Sequence, residues 1–78
     1  MNLSAILVVA LPGQFDALRS QLAAVPGVDI HYEDRSSNRY VCTIEAPDVH
    51  SAADRFTEIR SLPGTADASL LEERDEAC

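Results

Sequence analysis

The chain has 78 residues and a formal net charge of −7, from 13 acidic side chains against 6 basic ones. This length allows one domain, and the charge argues against nucleic acid as a partner because phosphate binding needs clustered Lys and Arg. The same charge argues against an anionic membrane surface and favours a cationic partner.

The first predicted element is a strand over residues 3–11 in which both alternating faces are apolar. One face carries Ser4, Ile6, Val8 and Ala10, and the other carries Leu3, Ala5, Leu7, Val9 and Leu11. Such a run is typical of a central strand that is covered on both sides. The rest of the chain supplies only two helices, which cover one face of a two-layer domain. The second apolar face is therefore left to a partner or to water.

The helical spacing of apolar residues predicts a helix over residues 14–24, which Pro26-Gly27 ends. Residues 28–33 then alternate as a strand with one buried side. The residues predicted to face the core are Val28, Ile30 and Tyr32. A polar turn at residues 34–38 leads into a hairpin partner over residues 39–45.

Asp48 is a favourable N-cap for a second helix, which Leu62-Pro63-Gly64 closes. A last strand is predicted over residues 65–71. The acidic residues 72–78 are expected to form a disordered tail, which leaves residues 1–71 as the single domain.

The order strand, helix, strand, strand, helix, strand contains a weak internal repeat. Each half places an apolar residue before Pro-Gly between its helix and its following strand, at Val25-Pro26-Gly27 and Leu62-Pro63-Gly64. Two interleaved right-handed crossovers in one antiparallel sheet give a ferredoxin-like α+β sandwich, with four strands and two helices on one face. In that arrangement the first and third strands are central.

The two cysteines do not form a disulfide framework. Cys42 lies in an apolar strand and Cys78 ends a charged stretch, which indicates a reducing compartment. The chain opens without a charged n-region, and its apolar run is too short to span a bilayer. We therefore expect a cytoplasmic protein with no membrane insertion.

No motif for catalysis or for a cofactor is present in the sequence. There is no Cys-x-x-Cys, and each of the three glycines follows a proline rather than forming a phosphate loop. His31 and His50 are candidates for a general base, but isolated surface histidines are usually solvated. Cys42 is assigned to the core. We expect no enzymatic activity, no metal and no cofactor.

The apolar face left open by the helices is the candidate site. Its predicted residues are Leu7, Val9, Val41, Thr43 and Leu71, surrounded by Asp29, Glu33, Glu45 and Asp67. An apolar strip bordered by carboxylates fits a peptide that is both basic and hydrophobic, because carboxylates accept bidentate hydrogen bonds from arginine. A homodimer through the same face and an ordinary solvated face are the open alternatives.

Three segments carry a resemblance to a known family. They are Gln21-Leu22-Ala23-Ala24-Val25-Pro26-Gly27, then Tyr40-Val41-Cys42-Thr43-Ile44-Glu45-Ala46 with Asp48, and Glu58-Ile59-Arg60-Ser61-Leu62 with Gly64 and Ala68-Ser69-Leu70. From Ala5 to Leu71 the chain resembles, in one register, the NapD family, the cytoplasmic chaperones of periplasmic nitrate reductase.

The resemblance implies a ferredoxin-like fold that binds the twin-arginine signal peptide of the nitrate reductase catalytic subunit. It also implies that the sheet face is the contact surface, and that binding delays export until the molybdenum cofactor and iron-sulfur cluster are inserted. The alternative is a dimeric ferredoxin-like module with a regulatory or ligand-sensing role. A nitrate reductase operon around the gene would favour the chaperone, and a biosynthetic or transcriptional context would favour the module.

Overall fold

The chain folds into a four-stranded antiparallel sheet with two helices packed on one side. The structure, a computed structural model, describes residues 1–75. Its elements are β1 (Asn2–Ala10), α1 (Phe15–Ala23), β2 (Val28–Asp34), β3 (Arg39–Ala46), α2 (Val49–Arg60) and β4 (Thr65–Asp75). The strand order is β2-β3-β1-β4. The predicted ferredoxin-like α+β fold, with its first and third strands central, is confirmed.

Burial alternates along the whole of β1, between buried residues and residues that are partly exposed. Ile6 and Val8 have no exposed surface, whereas Leu7 and Val9 keep part of theirs. Because successive side chains of a strand point to opposite faces, the even-numbered residues face the helices. Leu7 and Val9 therefore lie on the side of the sheet without helices, as predicted.

Tyr40 of β3 fixes the start of α1 against the sheet. Its ring stacks on Phe15 with the centroids 4.4 Å apart, and its buried hydroxyl donates to the backbone carbonyl of Phe15. Burial raises the pKa of the phenol. The larger aliphatic residues of the core around it are Ile6, Val8, Leu18, Leu22, Ile44 and Ile59.

Asp48 begins α2 as the sequence predicts. Its carboxylate accepts a hydrogen bond from the backbone N–H of Ser51 at 2.8 Å, and this contact holds the pKa of Asp48 below its usual value. A carboxylate at this position occupies a helix N–H that would otherwise lack a partner. By contrast, α1 has no side-chain cap at Gln14. The start of α1 is held instead by the contacts between Phe15 and Tyr40.

A β-bulge in β2 is the first departure from the predicted alternation. Ile30 pairs with Cys42 and the pairing resumes at Tyr32 with Val41, so His31 is the additional residue. An extra residue reverses the facing of the residues that follow it. The prediction that Tyr32 faces the core is therefore wrong: the side chain is 59% exposed and lies on the side without helices.

The same bulge moves Glu33 away from the predicted site. Glu33 lies opposite the buried Tyr40 in the strand register. Its carboxylate makes an ion pair with Arg19 of α1 at 2.8 Å. Glu33 thus lies on the helix side, so the prediction that it borders the apolar face left open by the helices is wrong.

The last strand is longer than the sequence predicts. It continues past Leu71 to Asp75, which pairs with Asn2 of β1. Its register with β1 shifts at two places, where Ala66 and Leu71 have no partner in β1. β1 begins at Asn2 and offers backbone groups that residues 72–75 can pair with, whatever their side chains. The predicted disordered tail is therefore wrong for residues 72–75. Residues 76–78, with Cys78, lie outside the described residues.

Gly27, in the turn between α1 and β2, is predicted to be intolerant of a side chain. Its φ is +80°, and an added Cβ would lie 2.5 Å from the carbonyl oxygen of Glu45. We expect Gly27→Ala to lower the free energy of unfolding for two reasons. The left-handed backbone conformation costs about 1–2 kcal/mol with a side chain, and the clash with the Glu45 carbonyl costs about 1–3 kcal/mol. Urea denaturation measures the loss.

Gly13 provides the control for this substitution. Its φ is +77°, but nothing lies within 4 Å of the position that a Cβ would occupy. Gly13→Ala should therefore lose only the backbone contribution. Equal losses of unfolding free energy in the two variants would contradict the close contact between Gly27 and Glu45.

Candidate functional site

The side of the sheet without helices, called the open face below, is built from side chains of all four strands. The strand register arranges them in four rows that run across the sheet. The rows are Glu45, Leu3 and Arg74; Asp29, Thr43, Ala5 and Glu72; Tyr32, Val41, Leu7 and Ser69; and Asp34, Arg39, Val9 and Asp67.

Most of the predicted site residues lie together on this face. Those that do are Leu7, Val9, Val41, Thr43, Asp29, Glu45 and Asp67. Glu33 lies on the other side of the sheet, and Leu71 is an unpaired bulge residue, 55% exposed. The register also adds residues that were not predicted for the site, among them the aromatic Tyr32 and the charged Asp34, Arg39, Glu72 and Arg74.

The centre of the open face is an apolar stripe along β1. Leu3, Ala5, Leu7 and Val9 follow one another along the strand, and Val41 of β3 lies directly beside Leu7. All five are partly exposed rather than buried. No helix of residues 1–75 covers the stripe, so it is available to a second molecule.

Carboxylates stand around the apolar stripe. Among residues 1–75, Asp29, Glu45 and Asp67 make no ion pair, whereas Glu72 pairs with Arg74 at 3.5 Å. Three carboxylates are therefore free to accept hydrogen bonds from a cationic ligand.

Asp34 is a different kind of carboxylate. It accepts hydrogen bonds from the hydroxyls of Ser36 and Ser37 in the β2–β3 turn, each at 2.7 Å. The Ser36 bond, followed by the Ser37 bond, holds the pKa of Asp34 below its usual value. Asp34 is therefore an ionised turn residue whose hydrogen bonds shape the hairpin.

The β2 edge of the open face contains two residues that sequence reasoning did not assign to the site, His31 and Tyr32. His31 Nε2 and Thr43 Oγ1 share a hydrogen bond of 2.7 Å across the two strands. Tyr32, next in the chain, lies beside Val41. Residues 28–33 alternate apolar and polar side chains without interruption, so the sequence holds no signal for the bulge.

A cleft of about 180 Å³ lies on the helix side, between α2 and β4. Its lining residues are Ser4, Val49, Ala52, Ala53, Phe56, Leu70 and Glu73. Leu70 lies on the helix side, opposite the buried Ile6, but it is 51% exposed because α2 does not cover it. The one carboxylate of the cleft, Glu73, accepts a hydrogen bond from Asn2 at 3.3 Å.

The buried thiol of Cys42 is held in its protonated form. Burial raises its pKa to about 12, so the thiolate needed for nucleophilic attack or soft-metal binding is scarce at neutral pH. In the described part of the chain, no group of three His, Cys, Asp or Glu side chains could hold a metal ion. No helix of residues 1–75 is long and apolar enough to cross a membrane.

Comparisons with known proteins agree with this fold. A family model described as NapD protein matches residues 1–77. The solution structure of NapD from E. coli, described as a Tat proofreading chaperone, has a TM-score of 0.84 and 23% identity, over 95% of this chain and 78% of that one. No curated protein matches the chain in sequence.

A second solved structure is more distant. It is a crystal structure from Chloroflexus aurantiacus assigned as an antibiotic biosynthesis monooxygenase. It has a TM-score of 0.52 and 20% identity, over 100% of this chain and 95% of that one. At such identities, the likeness to both structures is one of fold.

Proposed function

We propose, since the chain belongs to the NapD family, that it is a chaperone of twin-arginine export. Its ligand is the signal peptide of the catalytic subunit of periplasmic nitrate reductase. Bound in the cytoplasm, the peptide is withheld from export until the molybdenum cofactor and the iron-sulfur cluster have been inserted. The observation that carries the proposal is the open face, with an apolar stripe among free carboxylates.

The apolar stripe supplies affinity for the hydrophobic part of such a peptide. A secretory signal combines a positively charged segment with an apolar one. Each Å² of apolar surface that the stripe and the peptide bury together contributes about 25 cal/mol. Leu7 and Val41 lie at the centre of the stripe, where this burial would be most complete.

The carboxylates supply recognition of the arginines. Asp29, Glu45 and Asp67 are free of ion pairs within residues 1–75, and carboxylates bind guanidinium groups in a bidentate geometry. The net charge of −7 also steers a cationic peptide toward the protein. Apolar and acidic groups on one face thus match the two parts of the ligand.

The same charges disfavour a homodimer through the open face. From residues 1–75, two copies that met there would each bring five carboxylates and only two arginines, Arg39 and Arg74, into one interface, and each chain carries a net charge of −7. Like charges placed opposite one another across an interface are costly. A basic peptide removes this repulsion, which is why we favour it over the dimeric regulatory module.

Calorimetric titration of the whole chain with the synthetic signal peptide tests the proposal. We expect saturable binding of one peptide per chain, and at least tenfold weaker binding when both arginines are replaced by glutamine. The oligomeric state is measured in parallel by sedimentation. A protein that shows no peptide binding in the titration and sediments as a dimer would contradict the proposal and support the regulatory module.

Neutralising Glu45 should weaken peptide binding in a salt-dependent way. An exposed ion pair contributes at most about 1 kcal/mol, so Glu45→Gln should raise the Kd up to about fivefold at low ionic strength. At high salt, screening should abolish the difference in Kd between Glu45→Gln and wild type. Calorimetric titrations at two salt concentrations measure this difference.

Glu33 gives the matched control, because it carries the same charge on the other side of the sheet. It pairs with Arg19 of α1, so Glu33→Gln should leave the Kd unchanged at both salt concentrations. Equal weakening by Glu33→Gln and Glu45→Gln would indicate that only the net charge matters and that Glu45 makes no contact with the peptide.

A further inference from the structure

The β-bulge of β2 places an aromatic ring on the open face. Tyr32 is 59% exposed, and within residues 1–75 it is the one aromatic residue in the four rows of this face. No arginine of the described residues lies over its ring. The ring can therefore receive a cation from a ligand.

A free carboxylate lies one row away from this ring. Asp29 is opposite Thr43, and Tyr32 is opposite Val41, so the two share the open face on one strand. Adjacent rows are about 7 Å apart, since a strand rises about 3.3 Å per residue. Thr43 is bonded to His31, and no side chain of residues 1–75 makes an ion pair with Asp29.

The protein already contains a guanidinium held by such a pair. Arg35 lies 4.8 Å above the ring centroid of Phe15. The same guanidinium donates two hydrogen bonds to the carboxylate of Asp16, at 2.7 and 3.3 Å. A planar guanidinium can thus stack on a ring and bind a nearby carboxylate with two N–H groups at once, which an ammonium group cannot do.

We propose that Tyr32 and Asp29 form a guanidinium-binding site at the β2 edge of the open face. One arginine of the bound peptide stacks on the Tyr32 ring and donates to the Asp29 carboxylate, in the arrangement that Arg35 makes with Phe15 and Asp16. The site selects arginine over lysine. This inference rests on the proposed function, because the guanidinium belongs to the signal peptide.

The test compares two peptides against Tyr32 variants of the whole chain. One peptide carries the natural arginine pair and the other carries two lysines. We expect wild-type protein to bind the arginine peptide at least fivefold more tightly. Tyr32→Phe, which keeps the ring, should preserve that ratio. Tyr32→Leu, which keeps an apolar side chain without a ring, should reduce the ratio to within twofold of unity.

Asp29→Asn should reduce the same ratio, because the amide keeps the size of the side chain and loses the charge. Val49→Ala is the control, because Val49 is an exposed apolar residue of α2 on the helix side. This substitution should leave the arginine-to-lysine ratio unchanged. An unchanged ratio in Tyr32→Leu, or equal weakening of both peptides, would overturn the site. So would a wild type that binds the two peptides equally.

Failure of this site and failure of the proposed function give different results. If wild-type protein binds neither peptide, the proposed function fails and the site fails with it. If the arginine peptide binds, and a charge at the centre of the open face abolishes binding, the proposed function stands. An unchanged arginine-to-lysine ratio in Tyr32→Leu then overturns the guanidinium site alone.

Discussion

Val8→Asp is expected to unfold the domain. Val8 has no exposed surface and lies on the central strand between Tyr40 and Ala68, both buried. An unpaired carboxylate at such a position costs several kcal/mol, and the substitution also removes apolar burial that contributes about 1.5–3 kcal/mol. The total free energy of unfolding of native proteins is about 5–15 kcal/mol, with small domains at the low end. Circular dichroism should show no cooperative urea transition.

Val9→Asp, one residue further along the strand, is the control for this experiment. Val9 lies on the open face between Arg39 and Asp67, and it keeps part of its surface exposed. We expect the variant to remain folded with a loss of about 1 kcal/mol or less, as for most substitutions near the surface. A Val9→Asp protein that unfolds beside a folded Val8→Asp protein would mean that β1 is turned the other way.

Leu7→Asp is expected to abolish peptide binding and leave the domain folded. Leu7 lies at the centre of the apolar stripe between Val41 and Ser69. An apolar segment that covers this position would have to desolvate the carboxylate, which is costly without a partner. We expect the Kd to rise at least a hundredfold in calorimetric titration. Leu7→Asn, which leaves the net charge unchanged, should also weaken binding, and this separates the contact from charge steering.

Leu70→Asp is the matched control for Leu7→Asp. Leu70 is on the neighbouring strand, opposite Ile6, and it lines the cleft on the helix side with 51% of its surface exposed. The substitution has the same chemistry on the other side of the sheet, so it should leave the Kd within twofold of wild type. Loss of binding in Leu70→Asp with normal binding in Leu7→Asp would place the peptide in the α2–β4 cleft instead.

The fold could be predicted because its main determinants are local patterns of the sequence. Both faces of residues 3–11 are apolar, which marks a central strand, and the Pro-Gly steps delimit the helices. The facing of Leu7 and Val9 follows from alternation alone, since β1 itself carries no extra residue. The central part of the candidate site could therefore be predicted from the sequence.

The facing of Tyr32 and Glu33 could not be predicted because a bulge is a property of strand pairing. Residues 28–33 alternate regularly, so their own pattern is the same with or without an extra residue opposite β3. The ion pair between Glu33 and Arg19 depends in addition on where α1 lies over the sheet. Neither fact can be read from one segment taken alone.

The length of β4 was missed for a similar reason. The charged composition of residues 72–75 is typical of a solvated tail. Their backbone groups, however, pair with the first residues of β1, and backbone pairing does not require apolar side chains. Glu72 and Arg74 are consequently part of the open face, at its β4 edge.

The central claim, that the open face binds the signal peptide, is tested most directly by NMR with methyl-labelled Leu and Val residues. The whole chain is titrated with the arginine peptide, and each methyl signal is followed to saturation. We predict that the largest shifts occur at Leu7, Val9 and Val41, with little change at Val49 and Leu70 on the helix side. The largest shifts at Val49 and Leu70, with Leu7 and Val41 unchanged, would contradict the account.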